Sequence, residues 1–409
     1  MHPLASAARP SRVLAAGAIA LLLGLQPVVT DIYLPALPLL TRELGASMAQ
    51  AQLTMSALIL AFGIAQLFWG PVADRYGRRP VLAAGLVALV FASLAAALAP
   101  SAPVLIGARI VQGAALAAAV VVARAMVRDL YEPAEGARVM AWALSGLGVI
   151  ALAGPVAGGV VAGLSGWRAT LAIVVMFGLA TLVFTRWKLP ETIPARNPRA
   201  TAPGPLLANW AAIARHPTFV AWTALMTCTY GGLFVVLAGS SFVYIEILGL
   251  SPAGYGLTMA AGSVAYLAGT FACRRWIARH GTAGAVARGA GFTLVAGVSV
   301  LALALAGVQA VWAVLVPQCL YAFGHGIHQP CAQASAVGPF PHAAGAASAL
   351  AGFTLAAVAF GIGLWLGSAL DGRVLPYAAT HAVFALLTCA AAWTLVPRAE
   401  RRTAPVLAA

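Results

Sequence analysis

The chain predicts an all-α membrane protein, with twelve transmembrane helices in two pseudo-symmetric six-helix bundles. Three observations carry this. Of 409 residues, 62% are hydrophobic and 8% charged, with a mean hydropathy of +0.93, whereas soluble proteins average about 25% charged residues. Twelve apolar segments occur, each about 20 residues or longer and able to cross ~30 Å of hydrocarbon. A short pattern also recurs: Gly70-Pro71-Val72-Ala73-Asp74-Arg75 ends the second segment and Gly269-Thr270-Phe271-Ala272-Cys273-Arg274 ends the eighth. Duplicated halves are a transporter architecture with a site between them.

In order, the segments are 13–38, 50–70, 80–98, 103–126, 138–163, 166–186, 217–245, 253–272, 285–306, 309–332, 343–368 and 376–396. The first follows Arg9 and Arg12, as a signal peptide would. It is too long for one and has no small-x-small cleavage site before Asp31, so it reads as a retained helix. Asp31 is the only carboxylate well inside an apolar span. An ionised group in hydrocarbon costs several kcal/mol, so it faces a partner or a wet cavity. The fourth segment holds a cation, Arg109. Asp31 lies about seven residues from the outer end of its segment and Arg109 about six from its own, roughly 10 Å deep at 1.5 Å per residue. Equal depth is what an acid–base pair requires, and the short Asp31 side chain cannot snorkel to water. Gln112, one turn from Arg109, either shares this network or packs a helix face.

Basic residues set the orientation. With an inside N-terminus, all of the 24 Lys and Arg residues except Arg42, Arg109, Arg168 and Arg373 fall in inside segments, which puts both termini in the cytoplasm. The longest gap carries Pro190, Pro194, Pro198, Pro203 and Pro205. It divides the chain into a bundle over 1–187, a cytoplasmic linker over 188–216 and a second bundle over 217–409. Within it, 206–215 is either an amphipathic surface helix or a plain tether.

The loop Gly70-Pro71-Val72-Ala73-Asp74-Arg75-Tyr76-Gly77-Arg78-Arg79-Pro80 is the most specific signal. Gly70 and Gly77 admit a tight turn. Asp74 suits the N-terminus of a neighbouring helix, here the eleventh, around 342–345. Arg75, Arg78 and Arg79 are free to pair with acids, and Arg78 with Asp129 would lock the cytoplasmic side. In the fifth segment Pro155 removes a backbone bond, and Gly154/Gly158 and Gly159/Gly163 make two GxxxG steps. This stretch is a hinge, a seal or a static packing face. His325 and His328 read as hydrogen-bonded groups packed in the tenth helix, with a proton relay second. Tyr33, Tyr230, Phe234, Tyr321 and Trp365 either pack or line an amphipathic cavity. Glu246 reads as a solvated charge at a helix end.

These motifs resemble the major facilitator superfamily. Its first loop carries G-x-x-x-D-R-x-G-R-R/K, matched by Gly70, Asp74, Arg75, Gly77, Arg78 and Arg79. Arg109-Ile110-Val111-Gln112-Gly113 resembles its R-x-x-Q-G. Gly154-Pro155-Val156-Ala157-Gly158-Gly159 resembles the G-P-x-x-G-G of its drug/proton antiporters. Asp31-Ile32-Tyr33-Leu34-Pro35-Ala36-Leu37-Pro38, Val127-Arg128-Asp129-Leu130-Tyr131 and Ser241-Phe242-Val243-Tyr244-Ile245-Glu246 are similar to the bicyclomycin/chloramphenicol-resistance (Bcr/CflA) efflux group. The second-copy loop departs from the pattern at Cys273.

The resemblance implies a proton-coupled antiporter exporting small drugs across a bacterial inner membrane, acting as a monomer. Desolvation raises a carboxyl's proton affinity and a nearby guanidinium lowers it, so separating Asp31 from Arg109 between states would couple protonation to expulsion. Asp31 is then the proton site or the contact for a polar substrate. The partners are protons, a small drug and the lipid bilayer. A net charge of +14 does not imply nucleic acid, because the basic residues cap apolar runs and form no stripe. Five scattered cysteines without CxxC point to no metal site and no disulfide framework. No phosphate-binding loop occurs and Lys188 is the only lysine, so no nucleotide or other cofactor is expected. The rivals are an importer of the same fold, a membrane receptor or scaffold, and an intramembrane enzyme, which would need a nucleophile, base or metal set that one buried acid does not make.

Overall fold

Lipid offers a backbone no hydrogen-bond partner, and a helix satisfies its own groups within one segment. The computed structural model describes residues 11–403 as helices joined by short turns, with no strand among them. Arg9, counted above as an inside charge, lies outside the described residues. Helix α1 (Arg12–Thr30) contains Pro27 and continues through a short 3-10 turn at Leu34–Ala36 into Leu37–Glu43. Helix α2 (Met48–Tyr76) opens on a capping box in which Ser47 and Gln50 satisfy each other's backbone N–H groups. Helices α3 (Arg78–Ala97) and α4 (Ala102–Leu130) follow. The run Pro133–Lys188 turns at Gly166, φ 79°, which divides it into α5 (133–165) and α6 (167–188).

The linker does form a helix, Pro203–Arg215, which buries Ile213 and sets Trp210 edge-on to Phe68 of α2. Helix α7 (Pro217–Ser241) runs on as a π-helix to Ile247. The run Pro252–Leu305 turns at Gly281, φ 70°, giving α8 (252–280) and α9 (282–305). Both turns need a left-handed φ that only glycine adopts cheaply. Helices α10 (Val311–Val337), α11 (Ala344–Ala369) and α12 (Leu375–Ala390, prolonged to Thr403) complete the chain.

Among the described residues, nine helical runs are long and apolar enough to span a membrane. Two of these are the turned pairs. The 27 residues of α10 are also long enough, although glutamines and histidines dilute its hydropathy. The expected twelve spans follow. Boundaries move by a few residues. At α1 the regular ladder ends with the Asp31 N–H on the Pro27 carbonyl, 2.7 Å, and the chain goes on through a 3-10 turn that holds Pro35, which has no N–H to donate.

Helices α1–α6 and α7–α12 form the two bundles, joined by two antiparallel seams. Along the first, Gly63 of α2 meets Ala356 of α11 and Gly363 of α11 meets Ser56. Along the second, Gly159 of α5 lies on the Pro252 carbonyl and Gly256 of α8 on the Pro155 carbonyl. Gly158 abuts the Ile32 carbonyl of α1, so no side chain fits there. Gly163 meets nothing within 4 Å. The Gly/Pro stretch is therefore a contact face joining α1, α5 and α8.

Gly158→Ala would drive a methyl into that carbonyl, an overpacking that costs about 1–3 kcal/mol. It is expected to lower the melting temperature of the purified protein by several degrees, while Gly163→Ala leaves it unchanged. Equal melting of the two variants in a thermal-shift assay would refute the contact.

Candidate functional site

The end of the molecule that carries the Tyr76–Arg78 turn is called the basic end here, and the end carrying Glu43 the opposite end. Arg109 projects from α4 into the junction with α1 and α2 and is fully buried, 0% exposed. Its Nη1 donates to Gln112 Oε1 at 2.6 Å and to the Val29 carbonyl at 3.2 Å, and its Nε donates to the Thr54 carbonyl at 3.2 Å. The guanidinium lies over the Tyr33 ring, 4.2 Å from its centroid. Tyr33 donates to the Thr54 hydroxyl at 2.9 Å, and Gln112 donates to Ser93 of α3 at 2.7 Å. Carbonyls at a helix end need outside donors, and the interrupted ladder of α1 leaves Val29 for Arg109 to reach. Arg109 Nη2 is buried with no partner among the described residues.

The expected ion pair with Asp31 is not formed in this structure. No ion pair among the described residues contains either group. The reason is helical: Arg109 docks at Val29, and Asp31, two residues on, points about 200° away. Its carboxylate is half-buried on the opposite face of α1, toward Gly154 of α5, where an added Cβ would sit 3.7 Å from the Asp31 Cβ. It is within electrostatic reach of Tyr230 of α7 and Tyr255 of α8. Matching depth was legible, but the direction each side chain faces was not.

Thr30 joins Asp31 to the backbone. Its hydroxyl lies 2.6 Å from Asp31 Oδ1 and 2.9 Å from the Gln26 carbonyl. A hydroxyl has one hydrogen. The Thr30 hydroxyl donates to the Gln26 carbonyl and to the Asp31 carboxylate, sharing its hydrogen between them, and its lone pairs can accept from Asp31 when the carboxyl is protonated. Sequence reasoning missed Thr30, although a hydroxyl beside the only intramembrane acid was a readable signal.

Gln26 also lines a cavity of ≈160 Å³ in the half of the molecule nearer the basic end, between the bundles. Gln66, Arg124, Tyr230, Gln329 and Ser348 share that lining. Of the other aromatics named from the sequence, Tyr33 and Phe234 are buried in the core and Tyr321 is buried with its hydroxyl on the Thr229 carbonyl at 3.0 Å. Trp365 is 58% exposed, and its indole donates to Thr380.

The opposite end is clasped. Glu246 is exposed at a helix end, as expected, and also pairs there with Arg42. Gln52 of α2 donates to the Ala238 carbonyl of α7 at 2.8 Å.

At the basic end Arg78 pairs with Asp129 at 2.8 Å, as expected, and also with Asp74. The register of the α2–α11 seam carries Asp74 toward the start of α11. Its carboxylate nevertheless accepts from Arg78, and its backbone carbonyl accepts from Asn197 of the linker. The acid that does sit at a helix start is Glu191, which takes the N–H groups of Arg78 at 2.9 Å and Arg79 at 3.1 Å. Gly77 precedes α3 with no capping side chain, which was the signal for such a partner. Arg79 reaches the Arg186 carbonyl, and Arg75 reaches Thr201. Gly70 has only Val121 within 4 Å. The Asp74 carbonyl, Arg75 and the N–H groups of Arg78 and Arg79 thus tie the linker to the first bundle.

In α10, His325 and His328 share the Thr229 hydroxyl at 3.0 and 3.4 Å. Among the described residues no group of three His, Cys, Asp or Glu side chains is placed to hold a metal.

A family model described as Major Facilitator Superfamily matches residues 19–364. The chain is 31% identical over 335 residues to multidrug resistance protein D of Escherichia coli (strain K12), covering 82% of this chain and 83% of that one. It is 31% identical over 326 residues to a chloramphenicol resistance protein of Pseudomonas aeruginosa, covering 78% and 75%. In shape it resembles a D-xylose-proton symporter, with a TM-score of 0.74, 16% identity, and coverage of 95% of this chain and 98% of that one.

The two ion pairs are expected to differ in worth. Arg78 and Asp129 are 8% and 12% exposed, whereas Arg42 and Glu246 are 69% and 31% exposed. Double-mutant cycles to alanine, read as detergent unfolding, should give a coupling of about 1.5–3 kcal/mol for the buried pair and below about 1 kcal/mol for the exposed one. The reverse order would contradict this assignment.

Proposed function

The chain belongs to the major facilitator superfamily, and from that premise we propose that it is a proton-coupled antiporter exporting small drugs across a bacterial inner membrane. The family is one of transporters, not enzymes. The names of the relatives, a multidrug and a chloramphenicol resistance protein, support a drug as the substrate.

The observation that carries the proton is the chain from Asp31 through the Thr30 hydroxyl to the Gln26 carbonyl. It lies on the face of α1 turned toward α5, α7 and α8, where the halves meet, and Thr30 can donate to the ionised carboxylate or accept from the protonated one. Proton affinity follows the water and charge around a carboxyl. Rocking of the first bundle (1–187) against the second (217–409) about the linker (188–216) changes both, so Asp31 loads on one side and releases on the other. The basic end is then cytoplasmic, as the arginine distribution requires, and both termini lie there. The Arg42–Glu246 clasp and the α5–α8 seam close the outer side.

In this cycle Arg109 acts through position. With Tyr33 and Gln112 it bolts α1 to α2 and α4, so Asp31 moves with the whole first bundle. The face formed by Gly154, Pro155, Gly158 and Gly159 seals α5 against α1 and α8. The latch of Asp74, Arg78 and Asp129 holds the linker while the bundles move. Each chain contains its own cavity, which fits a working monomer.

The test is drug-driven proton release from purified protein in detergent. Asp31→Asn should abolish it with insertion and melting intact. Thr30→Val should slow it about tenfold, the worth of one hydrogen bond to a charged group, and Thr30→Ser should restore it. Arg109→Ala should lose more than Arg109→Lys. Wild-type exchange in Asp31→Asn removes Asp31 from the mechanism, and accumulation of drug against the expected direction in vesicles would make the protein an importer.

A further inference from the structure

The cavity between the bundles carries a charge that the proton cycle leaves unused. Arg124, on α4 near the basic end, contributes a guanidinium to its wall. The side chain crosses to the other bundle, where Nη1 donates to the Ser348 hydroxyl of α11 at 3.2 Å, a neutral acceptor. No ion pair among the described residues includes Arg124. No carboxylate lines the cavity, and Asp31 is not part of its wall. One turn along α4, Arg128 places its guanidinium against Gly345 at the foot of α11, 3.4 Å from where a Cβ would be, adding positive potential on the same side.

The rest of the wall is amide and hydrocarbon. Gln66, Gln329 and Gln333 supply amides, each both donor and acceptor, and Phe62 and Met226 supply apolar surface. At ≈160 Å³ the space is smaller than a typical drug pocket of about 300–1,000 Å³, which limits the guest to roughly one ring. A guanidinium partly removed from water is stabilised most by a planar anion that takes two parallel hydrogen bonds. We propose that this cavity binds small organic anions, carboxylates or sulfonates on an apolar body, with Arg124 as the charged contact. The proposal rests on the transport reading and names its substrate class. An anion held between Arg124 and Ser348 would touch both halves, which is where a guest must sit to bias their rocking.

The test is equilibrium binding of radiolabelled benzoate to the full-length protein in neutral detergent at neutral pH. Benzamide and benzamidinium serve as uncharged and cationic competitors of the same shape. Benzoate should compete about tenfold better than either, the worth of one charge-assisted hydrogen bond. Arg124→Gln should erase that preference and leave benzamide binding unchanged, whereas Ser348→Ala, which keeps the charge, should retain most of it. Equal affinity for the three compounds, preference for benzamidinium, no measurable benzoate binding, or a preference that survives Arg124→Gln would each overturn the proposal. The wild-type comparison needs no variant, so it decides even if Arg124→Gln fails to fold. Asp31-dependent proton release is a separate readout. Its loss with benzoate preference intact would sink the transport reading, and its persistence without that preference would sink only the anion site.

Discussion

A guanidinium buried in hydrocarbon must be met by protein dipoles, and the first bundle is arranged to do this for Arg109. The carbonyls of Val29 and Thr54, the amide of Gln112 and the face of Tyr33 come from three helices, all within reach of one side chain. None of these is a full counter-charge, so their combined geometry has to hold. A shift of α1 relative to α2 or α4 would strand a charge worth several kcal/mol in lipid. The junction is therefore held by many directional contacts at once, unlike surfaces that lack such a charge.

Those surfaces are the seams between the halves. At α5–α8 the contacts are glycine against backbone carbonyl, with Gly159 on Pro252 and Gly256 on Pro155. Such faces let the helices approach closely and rest on packing instead of side-chain hydrogen bonds. The second bundle repeats the plan of the first with the charge removed. On α10, Gln318 accepts from the Tyr244 hydroxyl at 3.0 Å, at the α7–α10 junction that corresponds to α1–α4, where Arg109 covers Tyr33. At the basic end Cys273, in the place of Asp74, lies 3.4 Å from Cys331. Among the described residues the buried arginines, Arg78 and Arg109, both belong to the first half.

Some of this was readable residue by residue, because membrane insertion acts on local composition. Spans follow from apolar length and the twofold plan from a six-residue echo. The pairing of Arg78 with Asp129 was legible because both stand on basic-end turns of neighbouring helices. Glu191 was not, because its position at the start of α3 depends on how the linker folds back. The pairing of Glu246 with Arg42 was not legible, because the two are distant in sequence and belong to different bundles.

The sequence by itself determined that this chain spans a membrane twelve times in two related halves, with Asp31 and Arg109 as its buried charges of opposite sign, because the cost of transfer into lipid is set by segment length and charge. Tertiary structure alone decided that the two charges face opposite sides of α1, that Thr30 couples the acid to the backbone, and that Arg124 enters a cavity instead of a solvated loop. The physical reason is angular: each residue turns the helix by about 100°, and the turn at Pro35 and the glycine contacts at α5 fix which face each side chain meets.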